Sequence, residues 1–165
     1  MELFLGNRKE IGVELNVTGR ETHGTLMGYA KIWFGGNFLG SYHDYIYLDG
    51  YLLGGLSEML KVGELNATNF PKDVVSQFHY FESRSNDLHD SEISGYLVSF
   101  GTLTDSFTKW VFKEGANITI LWKLENTQSS YEDLKTYPSD IFKYTISFDR
   151  LEEFVERLDR ILKNW

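Results

Sequence analysis

Four histidines, twenty-four carboxylates and no cysteine are the reactive groups this sequence offers. His23, His43, His79 and His89 never stand in the H-x-x-x-H or H-E-x-x-H spacing that puts two imidazoles on one helix face around a metal. His43-Asp44 and His89-Asp90 are adjacent, and neighbours on a strand point to opposite faces, so adjacency makes neither pair an acid–base couple. The lack of cysteine removes disulfides, thiolate nucleophiles and Cys-ligated metal sites together. No Gly-x-Ser-x-Gly elbow presents a serine nucleophile. The nearest approach to a metal site is Asp87, His89, Asp90 and Glu92, whose hard oxygen donors suit Ca²⁺ or Mg²⁺. Their spacing is not that of a calcium loop, and a solvated acidic loop accounts for the same residues. No catalytic residue, metal or cofactor is expected.

The stretch GYAKIWFGGNFLGSYHDY, residues 28–45, sets four glycines among aromatic residues and tests the other possibility, a phosphate-holding loop. The Walker pattern needs a Gly-Lys-Ser/Thr ending, and Gly40-Ser41 has no lysine between its members. The dinucleotide fingerprint needs G-x-G-x-x-G opening a helix, and Gly35, Gly36 and Gly40 lack that spacing. Gly35-Gly36-Asn37 lies directly between apolar residues, which is a tight hairpin turn.

The elements around these residues read mostly as strands. In IGVELNV, Ile11, Val13, Leu15 and Val17 alternate with Gly12, Glu14 and Asn16, as in a half-buried strand, and Thr18–Thr25 is turn-rich. Leu26–Phe34 is a second strand, with Tyr29, Lys31 and Trp33 on the face opposite Ala30, Ile32 and Phe34. Tyr51–Val62 has helical spacing despite Gly54 and Gly55. Residues 69–81 fit a helix or a strand, and residues 82–92 form a polar loop. Three β segments, residues 95–103, 106–115 and 116–125, suggest a meander, followed by a polar connection over residues 127–140.

A short strand, YTISF, then leads into an amphipathic helix. Its stripe runs through Leu151, Phe154, Val155, Leu158, Ile161, Leu162 and Trp165. Asp149 with Glu152 offers a capping box, with Ser147 a competing cap. Strands that do not alternate with helices predict an α+β fold: an antiparallel sheet of about six strands, two or three helices packed on it, and the C-terminal amphipathic helix.

At 165 residues, with 42% apolar and 16% aromatic side chains, residues 1–165 are expected to form one domain with a sizeable core. The net charge of −8 opposes nucleic-acid backbones and anionic membranes, and permits a basic partner or serves solubility alone. MELFLGNRKE has neither the basic start nor the long apolar run of a signal peptide, and no stretch approaches the ~20 apolar residues of a membrane span. The expected location is cytoplasmic, and the Asn-x-Ser/Thr matches at Asn16, Asn66 and Asn117 are then chance.

The order of these pieces carries a resemblance. An alternating first strand, then GYAKIWFGGNFLGSY, then GYLVSFG, WVFKEG and ITILWKLE, then the YTISFDRLEEFVERL ending, together resemble bacterial immunity proteins of polymorphic-toxin and contact-dependent growth inhibition systems. The aromatic strand with W-F-G-G-x-x-x-G is the most distinctive piece, and no functional residue of the family maps onto a position here. The resemblance implies a non-enzyme that binds the C-terminal effector domain of a cognate toxin and neutralises it by covering its active site or substrate surface. Many such effectors are nucleases, basic because they bind phosphates, and an acidic inhibitor is electrostatically complementary to them.

Two other classes remain open. One is a small α+β ligand-binding or enzyme domain with aromatics lining a pocket; the other is a homo-oligomer that buries its aromatics. For a partner surface, two acidic segments stand out. One holds Glu82, Asp87, His89, Asp90 and Glu92; the other holds Glu125, Tyr131, Glu132, Asp133, Tyr137 and Asp140. Loops on a rigid scaffold concentrate binding residues, and tyrosine is a frequent hot spot. Charge reversal at Glu132 and Asp133 is expected to leave the fold intact. The exposed face of the aromatic hairpin around Trp33 and Tyr42 is the next candidate.

Overall fold

A computed structural model describes residues 2–87, 92–125 and 130–165. Among these residues, eight antiparallel strands divide into two sheets. The first contains β1 (Glu2–Gly6), β2 (Ile11–Arg20), β3 (Leu26–Phe34) and β4 (Asn37–Leu39) in that order, and β5 (Ile46–Tyr47) also pairs with β3. The second is a meander of β6 (Phe107–Glu114), β7 (Asn117–Leu124) and β8 (Phe142–Ser147). A π-helical turn, Leu48–Leu53, runs into α1 (Gly54–Met59); α2 is Val74–Ser85 and α3 is Phe148–Lys163. The α+β architecture with a C-terminal amphipathic helix is the expected one.

Alternation decides which faces are buried. The inward side chains of sheet one include Leu5, Val13, Leu15, Ala30, Ile32 and Phe34; they pack with Leu52 and Leu56, with Val111, Ile120 and Trp122 of sheet two, and with Leu151, Leu158 and Leu162 of α3. Sheet two is covered on its other face as well. There Trp110, Phe112 and Leu121 meet Phe78 and Phe81 of α2 and Ile93 and Tyr96, forming a second aromatic cluster. Burial on both sides leaves five consecutive β7 residues, Ile118 to Trp122, out of solvent.

The glycine pair forms the hairpin it predicts. Phe34 pairs with Asn37, leaving Gly35 (φ +59°) and Gly36 (φ +93°) as a two-residue turn in the left-handed region. Gly35 has a second constraint: a Cβ there would lie 2.7 Å from the Tyr144 ring of β8. Gly115, at the β6–β7 turn, has the same φ of +59° but open space around it. Both Gly→Ala changes should cost ~1–2 kcal/mol of backbone strain. Gly35→Ala should cost roughly 1 kcal/mol more for displacing the ring, read as a larger drop in urea midpoint at unchanged m. Equal costs at the two sites would show that the Tyr144 contact does not constrain the turn.

Several sequence expectations are corrected. Glu2–Gly6, which the sequence assigned to no element, is a strand. Residues 69–81, left undecided, enter α2: Asp73 caps it by accepting from the Ser76 N–H at 2.9 Å, and Phe78 and Phe81 fill the face toward sheet two. The helix continues through Ser85, so the start of the supposed 82–92 loop, Glu82 included, is helical. Residues 95–103 are not a ladder strand. After a 3₁₀ turn over Ile93–Tyr96, Val98, Phe100 and Leu103 face the core from irregular chain. Phe100 packs against Gly55 so closely that no Cβ fits there, which explains a glycine inside α1. Ser147, not Asp149, caps α3, accepting from the Arg150 N–H at 3.3 Å.

Candidate partner-binding surface

The structure sorts the sequence-predicted residues into anchors and exposed groups. Asp133 is an anchor. It lies in a short 3₁₀ turn, Glu132–Leu134, and reaches across to the β3–β4 hairpin. It pairs with Lys31 at 2.8 Å, accepts from the Ser41 hydroxyl at 2.7 Å and from the Tyr42 N–H at 3.1 Å. Burial alone would raise its pKa, but the bonds from Lys31, Ser41 and the Tyr42 backbone outweigh it, and its carboxyl is held below the usual range. Its charge is neutralised internally, so reversal at Asp133 should destabilise the fold, unlike reversal at an exposed rim carboxylate.

Tyr137 is a second anchor. Its hydroxyl donates to the Phe38 carbonyl at 2.5 Å and accepts from the Trp122 indole N–H at 3.0 Å, joining the two sheets. Burial pushes that hydroxyl up to about 12. Tyr131 is half-buried, stacks on His43 at 6.4 Å, and has its hydroxyl pushed up by burial and by the Asp44 carboxylate it bonds. These residues fasten the 130–140 segment to the hairpin.

The remaining acids point outward. Glu132, Asp140 and Glu125 are exposed, the first paired with Lys135 at 2.6 Å and the last 4.0 Å from Lys123. Such exposed pairs contribute little stability, so their charges are available to a partner. Around the end of α2, Glu82 bonds His79 at 2.8 Å, Glu92 lies 3.8 Å from Arg84, and Asp87 is exposed. His89 and Asp90 lie outside the described residues. The two acidic groups therefore rest on different supports, α2 and the hairpin. Among the described residues no three His, Asp or Glu side chains gather as a metal site, and no helix is long and apolar enough to cross a membrane.

A third surface is the outer face of sheet one. Pairing of Phe4 with Glu14 and of Glu14 with Lys31 lays these side chains in one row, and Trp33 lies opposite Gly12 in the register. Trp33 packs on Phe38 at 5.3 Å, and the Arg8 guanidinium lies 4.8 Å from the Trp33 ring and 5.5 Å from the Phe4 ring while paired with Glu14. The Trp33 and Tyr42 part of this face was legible as the polar side of an alternating hairpin. Glu2, Phe4 and Arg8 were missed because ELFLG is too short to show its period.

These features define an α+β domain with two antiparallel sheets and acidic groups mounted on firmly anchored supports. No protein-family model matches the sequence, and no curated protein matches it. Among solved structures, the chain is similar to the crystal structure of CdiI from Burkholderia dolosa AUO158, with a TM-score of 0.64 at 13% identity, covering 94% of this chain and 97% of that one. At that identity the likeness is one of fold, and it extends over nearly the full length of both chains.

Proposed function

We propose that this chain is an immunity protein of a contact-dependent growth inhibition system, binding a cognate toxin effector domain and blocking it. The observation that carries the reading is the fold likeness to a CdiI over nearly the whole of both chains, which agrees with the family resemblance of the strand order and the W-F-G-G segment. The protein acts as a binding partner in the cytoplasm and performs no turnover of its own. The toxin domain is a basic nuclease, whose phosphate-binding surface is complementary to a chain of net charge −8. Glu132 and Asp140 beside the hairpin, Glu125 just after β7, Glu82, Asp87 and Glu92 around the end of α2, and the sequence neighbours His89 and Asp90 are the contact groups. Asp133, Tyr131 and Tyr137 hold the first set in place.

Charge reversal separates contact from support. Glu132→Lys with Asp140→Lys, and separately Glu82→Lys with Asp87→Lys, should leave the melting temperature within a few degrees. At least one pair should slow association with the toxin domain encoded beside this chain by on the order of ten-fold at low salt, with a flatter salt dependence. Unchanged association rates for both pairs would place the contact elsewhere, and no complex with that domain at all would sink the inhibitor reading.

A further inference from the structure

We propose that the outer face of sheet one contains a subsite for an arginine side chain of the protein partner, in the cleft between β1 and Tyr42. The source of that arginine rests on the inhibitor reading above; the cleft itself does not. The cleft has a volume of about 370 Å³ and is lined by Glu2, Leu3, Phe4, Arg8, Glu14 and Tyr42.

Three observations give the occupant its chemistry. First, charge: the carboxylates of Glu2 and Glu14 face a single guanidinium, Arg8, and Glu2 has no ion-pair partner among the described residues. Among the described residues one negative charge of the cleft lining is left over. Lys31, the next cation, is committed to Asp133. Second, surface: Phe4 is 41% exposed, and its open ring offers a face for a flat cation. Gly12 keeps this floor low, since a Cβ there would lie 2.8 Å from the Phe4 ring. Third, precedent within the molecule: Arg8 already lies within 5.5 Å of two ring centres while bonded to Glu14. The surroundings therefore accommodate a guanidinium, and the Arg8 side chain, 60% exposed, is free to share or yield the place. A guanidinium suits the cleft better than an ammonium because its planar face stacks while its edge bonds two carboxylates. The Tyr42 hydroxyl, pushed up first by burial and then by Glu14 and Glu2, stays protonated and adds a neutral hydrogen-bonding group at the rim.

The test uses the isolated protein, residues 1–165, and capped Gly-Arg-Gly, Gly-Lys-Gly and Gly-citrulline-Gly peptides, followed by ¹H–¹⁵N NMR. The arginine peptide should shift the Gly12 amide and the Trp33 indole signal saturably, more tightly than lysine, with citrulline silent. Glu2→Gln should weaken that binding about three- to five-fold, the scale of one exposed ion pair. Arg8→Ala should strengthen it by a similar factor, because it removes the internal competitor and one positive charge; a cleft without a ligand role gives no reason for a gain. No saturable shift at these residues, equal binding of citrulline, or unchanged affinity in Glu2→Gln overturns the proposal. No toxin domain is present in this titration, so its failure leaves the inhibitor reading intact, and failure of toxin capture leaves the cleft intact.

Discussion

Asp133→Ala should destabilise the protein by about 3 kcal/mol, more than any exposed carboxylate of the chain. The reason lies in what is left behind. Lys31 has a side chain only 12% exposed, and without Asp133 it loses its ion-pair partner while held largely out of water. Removing one member of a buried pair costs ~3–5 kcal/mol, and the residual exposure here places the effect at the lower end. The Ser41 hydroxyl and the Tyr42 N–H lose their acceptor as well. Lys31→Met in the same background should recover part of the loss, because it removes the stranded charge; simple additivity of the two changes would contradict a coupled pair.

The same pair has a pH signature. The folded pKa of Asp133 lies below its unfolded value. Its contribution is therefore complete above the ordinary carboxylate pKa of about 4 and is lost as pH falls through the folded pKa. The stability difference between wild type and Asp133→Ala should be constant from about pH 5 to pH 7 and shrink below about pH 4. A difference that grows toward low pH would have the wrong sign.

Leu158→Ala should cost ~2–5 kcal/mol, the range for truncating a buried leucine. Leu158 is fully buried at the middle of the α3 stripe, in the core that Leu52 and Leu56 of the preceding helical segments also line. The helix alone cannot collapse into the space, because its ends are held by the Ser147 cap and by the Arg20 side chain, which donates to the Leu162 carbonyl at 2.9 Å. Glu156→Gln, on the exposed face of the same helix, serves as the control and should be nearly neutral. A melting temperature that hardly moves in Leu158→Ala would mean that the stripe does not pack as described.

Legibility from sequence followed the strength of local patterns. The 11–34 strands, the Gly35-Gly36 turn and α3 each carry a full period of alternation or helical spacing, so local sequence and tertiary burial agree. The 95–103 segment misled because Val98 and Phe100 alternate with exposed Leu97 and Ser99 as a strand would, yet their partners are core side chains and no ladder forms. The α2 region was ambiguous because its aromatics serve a second core, behind sheet two, that no single-segment pattern announces. At the surface, acidity was readable but engagement was not. Asp133 and Glu132 are adjacent and identical in charge, and only the three-dimensional reach of Lys31, Ser41 and Tyr42 makes one an anchor and leaves the other an exposed rim charge paired only with Lys135. The arginine cleft depended on a strand, Glu2–Gly6, whose five residues are too few to reveal a period.

The purified protein, titrated into the toxin domain encoded beside it while that domain's catalytic activity is followed, should remove activity linearly to completion at one equivalent and leave a non-cognate toxin domain unaffected. Full activity in the presence of excess protein would contradict the inhibitor reading.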